Sequence, residues 1–329
     1  MHFAFIVDPP DSLKPAKDSS IAMMRAAQAA GHGVSIIEAP DLFWDSQADA
    51  VAAEALSITL TASAESWYVP GERRTLALRD VDAIVMRKDP PFDLEYVTAT
   101  WLLERAEHDG ARVFNRPRAL RDHSEKLSIA EFARFAAPTR VARRAEAIDA
   151  FIDEHADVIL KPLDGMGGAG VFRVRRDDPN RNAIIEALTD LGGRTIMAQR
   201  YLPAISDGDK RILIIDGEVV PYCLARIPRS GETRGNLAAG GRGVARPLSP
   251  RDREIATALA PVLAARGLFL VGIDVIGDCL TEINVTSPTC MVEIQAQTGF
   301  DVAAMFITAL ERAVRAAPLT SRGAGVADA

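Results

Sequence analysis

Apolar and polar positions in the first third of the chain change period repeatedly. His2–Asp8 is a compact apolar run and predicts a strand; Asp18–Ala30 has helical spacing, with Asp18 or Ser19 as N-cap and Gly31 past its end. Gly33–Ala39 predicts a second strand, and Ser57–Ala62 and Trp67–Val69 are shorter strand-like stretches. Asp82–Arg87 predicts a strand, Glu95–Asp109 a helix ending at Gly110, and Ala111–Asn115 a short strand. This alternation predicts an open α/β layer with a mostly parallel sheet.

The rhythm changes near Arg121. A helix is expected over His123–Phe135, then a strand over Thr139–Ala142, a helix over Ala145–His155 and a strand over Val158–Pro162. A strand at Val171–Arg175, a helix at Arg181–Leu191 and a strand at Arg194–Ala198 complete a small antiparallel sheet backed by helices. Asp216-Gly217 marks a hairpin within Lys210–Tyr222. Ile227–Val244 is rich in Gly and Arg and lacks periodicity, which suits a lid or a disordered loop. A helix over Pro250–Arg266, strands over Phe269–Ile276 and Leu280–Val285, and helices over Met291–Gln297 and Asp301–Arg315 close the fold. Leu319–Ala329 is expected to fray.

Gly165-Met166-Gly167-Gly168-Ala169-Gly170 matches G-x-G-x-x-G. A dinucleotide fingerprint needs a helix after the glycines, whereas Val171–Arg175 alternates as a strand does. A P-loop is excluded because no Gly-Lys-Ser/Thr follows. The loop therefore joins two strands, either as a plain hairpin or folded over phosphates through its N–H groups.

The chain has 329 residues, enough for two or three domains, and is 48% hydrophobic and 25% charged, as soluble globular proteins are. A net charge of −7 and a pI near 5.4 argue against a general nucleic-acid or membrane-surface binder. Cys223, Cys279 and Cys290 form no C-x-x-C pair and read as buried thiols of a cytosolic protein. Neither a signal peptide nor a membrane span is expected.

Four groups carry candidate chemistry. Glu282 and Asn284 are two apart on one strand, so they share a face. With Asp274 they supply oxygen donors suited to Mg²⁺; a solvated polar face is the alternative. Asp274 joins that face only if the hairpin has a three-residue turn, Gly277–Cys279, or a bulge, and that odd geometry is expected. Lys161 sits among Ile159, Leu160 and Pro162 and calls for an anionic partner, with Lys126 as a second cation. Arg211 and Arg226 lie on strands, and Arg234 and Arg242 lie in the lid segment, where they suit an anionic intermediate. Gln199–Leu202 is either a linker or a backbone edge for a purine.

Taken together, these stretches resemble ATP-grasp ligases, and more narrowly bacterial glutathione synthetases. The carrying segments are "KDSS" (17–20), "MRKDPPFD" (86–93), "LRDHSEKL" (120–127), "LKPLDGMGGAG" (160–170), "AQRYLPAISDGDKRILIIDGE" (198–218), "CLARIPRSGETRGNLAAGGRG" (223–243) and "TEINVTSPTC" (281–290). The resemblance implies an ATP-grasp fold, mixed α/β and α+β, behind an N-terminal open α/β domain. The expected divisions are a substrate domain at 1–122, a lid subdomain at 123–200, a catalytic subdomain at 201–316 and a flexible tail at 317–329.

The implied reaction joins γ-L-glutamyl-L-cysteine to glycine through an acyl phosphate, with ATP as co-substrate and Mg²⁺, or alternatively Mn²⁺, as the ion. By this resemblance Lys126 and Lys161 hold phosphates beneath Gly165, Gly167 and Gly168. Gln199, Tyr201 and Leu202 line the adenine slot, and Asp209 meets the ribose. Asp274, Glu282 and Asn284 hold the metal; Arg211 and Arg226 act on the acyl phosphate. Lys17, Asp18, Ser19 and Arg87 bind the glutamyl end, Ser287 and Thr289 receive glycine, Arg234 is a further substrate residue, and Arg242 belongs to the lid. The resemblance further implies a cytoplasmic homo-oligomer, commonly a tetramer, acting on small molecules, with no nucleic-acid or membrane partner. Rival readings are another carboxylate–amine ligase of this fold, an oxidoreductase and a nucleotide-binding regulator.

Overall fold

The computed structural model describes residues 1–63, 66–237 and 240–316, so the expectation of a frayed 319–329 tail lies outside the described residues. Among the described residues the strands form three sheets. The first contains β1 (His2–Val7), β2 (Gly33–Glu38), β3 (Leu42–Asp45), β4 (Ala50–Leu60), β5 (Tyr68–Ala77), β6 (Ala83–Met86) and β7 (Val113–Phe114). Helices α1 (Ser19–Ala29), α2 (Leu94–His108) and α3 (Pro117–Asp122) accompany it. Asp18 caps α1 by accepting from the Ile21 N–H.

This sheet is mixed rather than mostly parallel. β1 pairs in parallel with β2 and β6, and β6 with β7, but β4 runs antiparallel to β2, β3 and β5. The sequence reading missed the long β4–β5 hairpin for two reasons. Residues 50–53 of β4 are all buried, which erases the alternation that marks a one-sided strand. β5 contains Pro70 and Gly71 and is exposed from Val69 to Thr75, so it reads as a loop.

The expected helix over His123–Phe135 is also corrected. His123–Lys126 is not helical, and Leu127–Phe135 forms 3₁₀ turns interrupted at Phe132. Here the backbone serves a neighbouring strand: the Glu125 carbonyl accepts from the Ile283 N–H at 2.8 Å. The Glu125 Oε1 accepts from Val285 N–H, Thr286 N–H and the Thr286 hydroxyl. A continuous helix would turn both groups away.

The second sheet has the order β10-β9-β11-β8, built from β8 (Thr139–Ala142), β9 (Asp157–Pro162), β10 (Phe172–Arg175) and β11 (Ile196–Arg200). Helices α4 (Ala145–His155) and α5 (Arg181–Thr189) bury Ile148, Phe151, Ile152, Ile185 and Leu188 with the strands' apolar side chains. The third sheet has the order β14-β13-β12-β15-β16, from β12 (Asp209–Ile215), β13 (Glu218–Ile227), β14 (Arg242–Pro247), β15 (Leu270–Ile276) and β16 (Cys279–Asn284). It packs with α6 (Pro250–Ala265), α7 (Met291–Thr298) and α8 (Val302–Ala316). Both sheets are antiparallel throughout.

Candidate functional site

Strand register puts the charged residues of the third sheet on one face. Arg211 pairs with Asp274, and Asp274 with Glu282. Asp209, two residues before Arg211, pairs with Arg226. Asn284, two residues after Glu282, pairs with Gly272. Period-two alternation carries all six side chains to the same side.

The β15–β16 hairpin reaches this register by a bulge, not by a three-residue turn. Gly277-Asp278 is a two-residue turn between Ile276 and Cys279, and the register shifts between Asp274 and Val275. Thr281 is the extra residue, and its hydroxyl donates to the Asp274 carbonyl at 3.1 Å. Gly272 leaves room for the arginine: a Cβ there would lie 2.8 Å from both Arg211 Cδ and Pro288 Cβ.

Asp274, 2% exposed, is gripped from both sides. Arg211 donates from Nε to Oδ1 at 2.5 Å and from Nη2 to Oδ2 at 3.0 Å, and Arg226 Nη2 lies 2.9 Å from Oδ2. Asn284 Nδ2 also donates to Oδ2 at 3.1 Å. Burial pushes this carboxyl up, but the two guanidinium groups outweigh it and hold it far below the usual carboxylate range. Asp209 goes the other way. Burial raises it to about 6, although Arg226 opposes the shift and donates to its Oδ2 at 2.6 Å. Asp209 Oδ1 is buried without a partner.

A cavity of about 350 Å³ lies over this face. Its other wall comes from the second sheet and the loops beside it: Lys126, Lys161, Gly165–Ala169, Gln199, Tyr201 and Leu202. Lys126 Nζ donates to the Gly165 carbonyl at 2.5 Å and pairs with Glu282 Oε1 at 3.0 Å. Among the described residues, Lys161 Nζ reaches only the Thr281 carbonyl, at 3.4 Å, and burial lowers its pKa. A buried ammonium with one weak acceptor is a receptor for an anion. Arg173 lies over the Tyr201 ring at 3.6 Å, fixing one side of the apolar slot.

The remaining expected residues divide. Ser287, Thr289 and Arg234 line the cavity, and Arg234 Nη1 donates to the Gly168 carbonyl at 3.3 Å. Lys17 and Arg242 are exposed and do not line it. Asp18 caps α1, and the Ser19 hydroxyl accepts from the Met291 N–H. Arg87 is buried behind the wall: Nε donates to Ser20 Oγ and Nη2 to the Pro288 carbonyl, each at 3.0 Å, while Nη1 has no partner. Sequence reasoning missed Asp89, Glu125 and Cys290, which all line the cavity; Cys279 is half-buried rather than buried.

As a metal site the face is selective. Among the described residues, none donates to Glu282 Oε2 or Asn284 Oδ1, and both atoms belong to cavity-lining residues, so both fit a hard divalent ion. Both Asp274 oxygens face guanidinium groups, and Asp274 does not line the cavity. Among the described residues, no group of three or more His, Cys, Asp or Glu side chains is placed to hold a metal ion.

Residues 1–121 match the family model described as prokaryotic glutathione synthetase, N-terminal domain, and residues 125–299 match the prokaryotic glutathione synthetase ATP-grasp domain. The chain is 59% identical over 313 residues to a glutathione synthetase of Ralstonia nicotianae, covering 95% of this chain and 96% of that one. It is 56% identical to a glutathione synthetase of Nitrosomonas europaea, covering 95% and 98%. Among solved structures it resembles the D-cycloserine synthetase DcsG (TM-score 0.68, 18% identity, 95% and 100% covered). It also resembles the ATP-grasp ligase PsnB complexed with minimal precursor, Mg and ADP (TM-score 0.60, 17% identity, 95% and 98% covered). The fold is that of the ATP-grasp ligases.

Proposed function

The chain belongs to the prokaryotic glutathione synthetase family and is an ATP-dependent ligase, and from this premise we propose how its cavity joins γ-L-glutamyl-L-cysteine to glycine. The observation that carries the proposal is the opposition, across one cavity, of two lysines and a glycine loop to a sheet face bearing two arginines, two free oxygen donors and an orphaned carboxylate oxygen.

A carboxylate is a poor electrophile, so the cysteinyl carboxylate first takes the γ-phosphoryl group of ATP. Lys126 and Lys161 hold the phosphates under Gly165, Gly167 and Gly168; Gln199, Tyr201 and Leu202 enclose the adenine. The unpartnered Asp209 Oδ1 accepts from a ribose hydroxyl. Glu282 and Asn284 are the residues that would hold Mg²⁺, which would supply neutralising positive charge beside the phosphates. Asp274 instead fixes the two guanidinium groups, presenting Arg211 and Arg226 to the acyl phosphate and the developing oxyanion. Glycine, seated near Ser287 and Thr289, attacks the acyl carbon; the C–O bond breaks and phosphate leaves. The proposed lid, Ile227–Arg242, whose two end residues pair with each other, excludes water during this interval. Three free cysteines and the absence, among the described residues, of any helix long and apolar enough to cross a membrane accord with the proposed cytoplasmic location. A homo-oligomer, with a tetramer as the first expectation, completes the proposal.

ADP release is measured with ATP, Mg²⁺, γ-glutamylcysteine and glycine, the last two added singly and together. Release that needs both, with glutathione identified by mass, is the expected result. Coupled release only with other acid–amine pairs would transfer the site to a different ligase specificity.

A further inference from the structure

A second cleft, of about 760 Å³, shares no lining residue with the cavity over the charged face. It lies between α2, α3 and the end of α6, and its volume is within the usual range for small-molecule sites. One edge is built by close approach. The Arg116 N–H donates to the Gly267 carbonyl at 3.0 Å; Gly267 has φ +86°, and a Cβ there would overlap the Arg116 side chain. Within the cleft His123 is 5% exposed, and its Nε2 has no partner among the described residues. Burial first, and Arg266 next, hold this ring neutral, so Nε2 can serve as an acceptor for a bound donor. Glu107 is a second acceptor. Its side chain is largely buried, yet its ion pair with Arg116 is long, Nε to Oε1 3.5 Å. Burial pushes the Glu107 carboxyl up, and Glu104 adds to this against Arg116. The rim has the opposite need. The Arg116 and Arg118 side chains are 64% and 76% exposed, and Arg118 Nε lies 3.4 Å from Asp122 Oδ2. Loose exposed pairs of this kind contribute little and exchange readily for a ligand's carboxylate. Arg266, by contrast, is committed to Glu131 through two hydrogen bonds.

We propose that this cleft is a second peptide site, taking a small peptide with one free ammonium and two free carboxylates. The ammonium donates to His123 Nε2 and Glu107, and the carboxylates accept from Arg116 and Arg118. γ-Glutamylcysteine and glutathione share that charge pattern, whereas glycine, with a single carboxylate, meets it only in part. The choice of these two peptides rests on the functional reading above; the cleft and its charges do not. The Ile283 main chain lies against the His123 ring, and Ile283 stands between Glu282 and Asn284 on β16. An occupant of the cleft therefore contacts the ring that backs a strand of the charged face.

Glutathione and γ-glutamylcysteine are each titrated calorimetrically into the full chain, into Glu107→Gln and into Arg118→Ala, and the dipeptide KM is measured for all three. The expected result is a binding site that Glu107→Gln weakens about 10- to 100-fold, the usual scale for a hydrogen bond to a charged group. Arg118→Ala, an exposed position that the fold does not need, is expected to weaken the same site by about 3- to 10-fold. The dipeptide KM should stay within roughly twofold of the wild type in both variants, because neither residue lines the catalytic cavity. The peptide that shows the weakened site is the occupant: glutathione, its dipeptide precursor or both. Binding of both peptides undiminished in the two variants, no binding of either peptide, or a loss matched by an equal rise in the dipeptide KM would each overturn the assignment. A wild type that makes no glutathione would overturn the functional reading instead and leave the titrations to decide the cleft, which separates the two failures.

Discussion

Asp274 carries the sharpest prediction at the scale of single residues. Its carboxylate binds two arginines and an asparagine, so Asp274→Asn should free Arg211 and Arg226 from their common anchor. Turnover is expected to fall by about 10²–10³, as when an oxyanion donor is lost, with ATP binding and the Mg²⁺ requirement little changed. A large rise in the Mg²⁺ concentration needed would return Asp274 to the ion itself. His123 makes a different prediction. Burial first, and then Arg266, lower its pKa to about 4 against the raising effect of Glu131, and its Nε2 has no partner. The native state holds it neutral while the unfolded chain binds a proton near pH 6.5, so its contribution is complete above that value and fades as pH falls toward 4. Urea unfolding at pH 7.5 and pH 4.5 should show the wild type losing on the order of 2–3 kcal/mol more than His123→Gln. Glu282, Asn284, Lys161, Arg211 and Arg226 were legible as chemistry because each is a polar residue in an apolar strand. Asp89 and Glu125 were not, because both lie in irregular segments whose significance comes from contacts more than seventy residues away in sequence.

Between single residues and the whole chain, the glycine loop and the segment over the cavity act together. Gly168 has φ +84°, and a Cβ there would lie 2.9 Å from Asn236 Oδ1 and 3.2 Å from Arg234 Cδ. Gly168→Ala therefore adds left-handed strain of about 1–2 kcal/mol and pushes against the facing segment. The expected result is a roughly 10-fold weaker ATP KM and more ADP released per glutathione formed. Proteolytic cleavage after Arg229 should leave nucleotide binding intact but raise the same ratio; full coupling in the nicked protein would refute water exclusion by this segment. Elements with a clear period, such as α4 and the β12–β13 hairpin, follow from sequence within a residue or two at most ends. The β4–β5 hairpin and the turns at 127–135 do not. Burial of both faces, exposure of both faces, or a backbone bonded to a distant strand each removes the periodic signal.

In the whole molecule, the N-terminal sheet must be held in register with the sheet that bears the charged face, since the cavity takes residues from Asp89 as well as from β12, β13, β15 and β16. Asn115 makes that connection. Its Nδ2 donates to the carbonyls of Leu270 at 2.9 Å and Val285 at 2.7 Å, and its Oδ1 accepts from the Leu270 N–H at 2.7 Å. Asn115→Ala leaves three buried backbone groups unpaired and should cost about 2–4 kcal/mol in urea unfolding, with a fall in turnover that no single substrate restores. The sequence placed Asn115 at a strand end but could not show that it joins two sheets, because its partners lie over 150 residues away. The chemistry assigned to the assembled cavity makes one atom traceable. If the cysteinyl carboxylate attacks the γ-phosphorus and glycine then displaces phosphate, a carboxylate oxygen must leave with that phosphate. γ-Glutamylcysteine labelled with ¹⁸O in its cysteinyl carboxylate is turned over with ATP, Mg²⁺ and glycine, and the phosphate is analysed by mass. One ¹⁸O per phosphate released is the expected result; unlabelled phosphate alongside glutathione would contradict the acyl phosphate route.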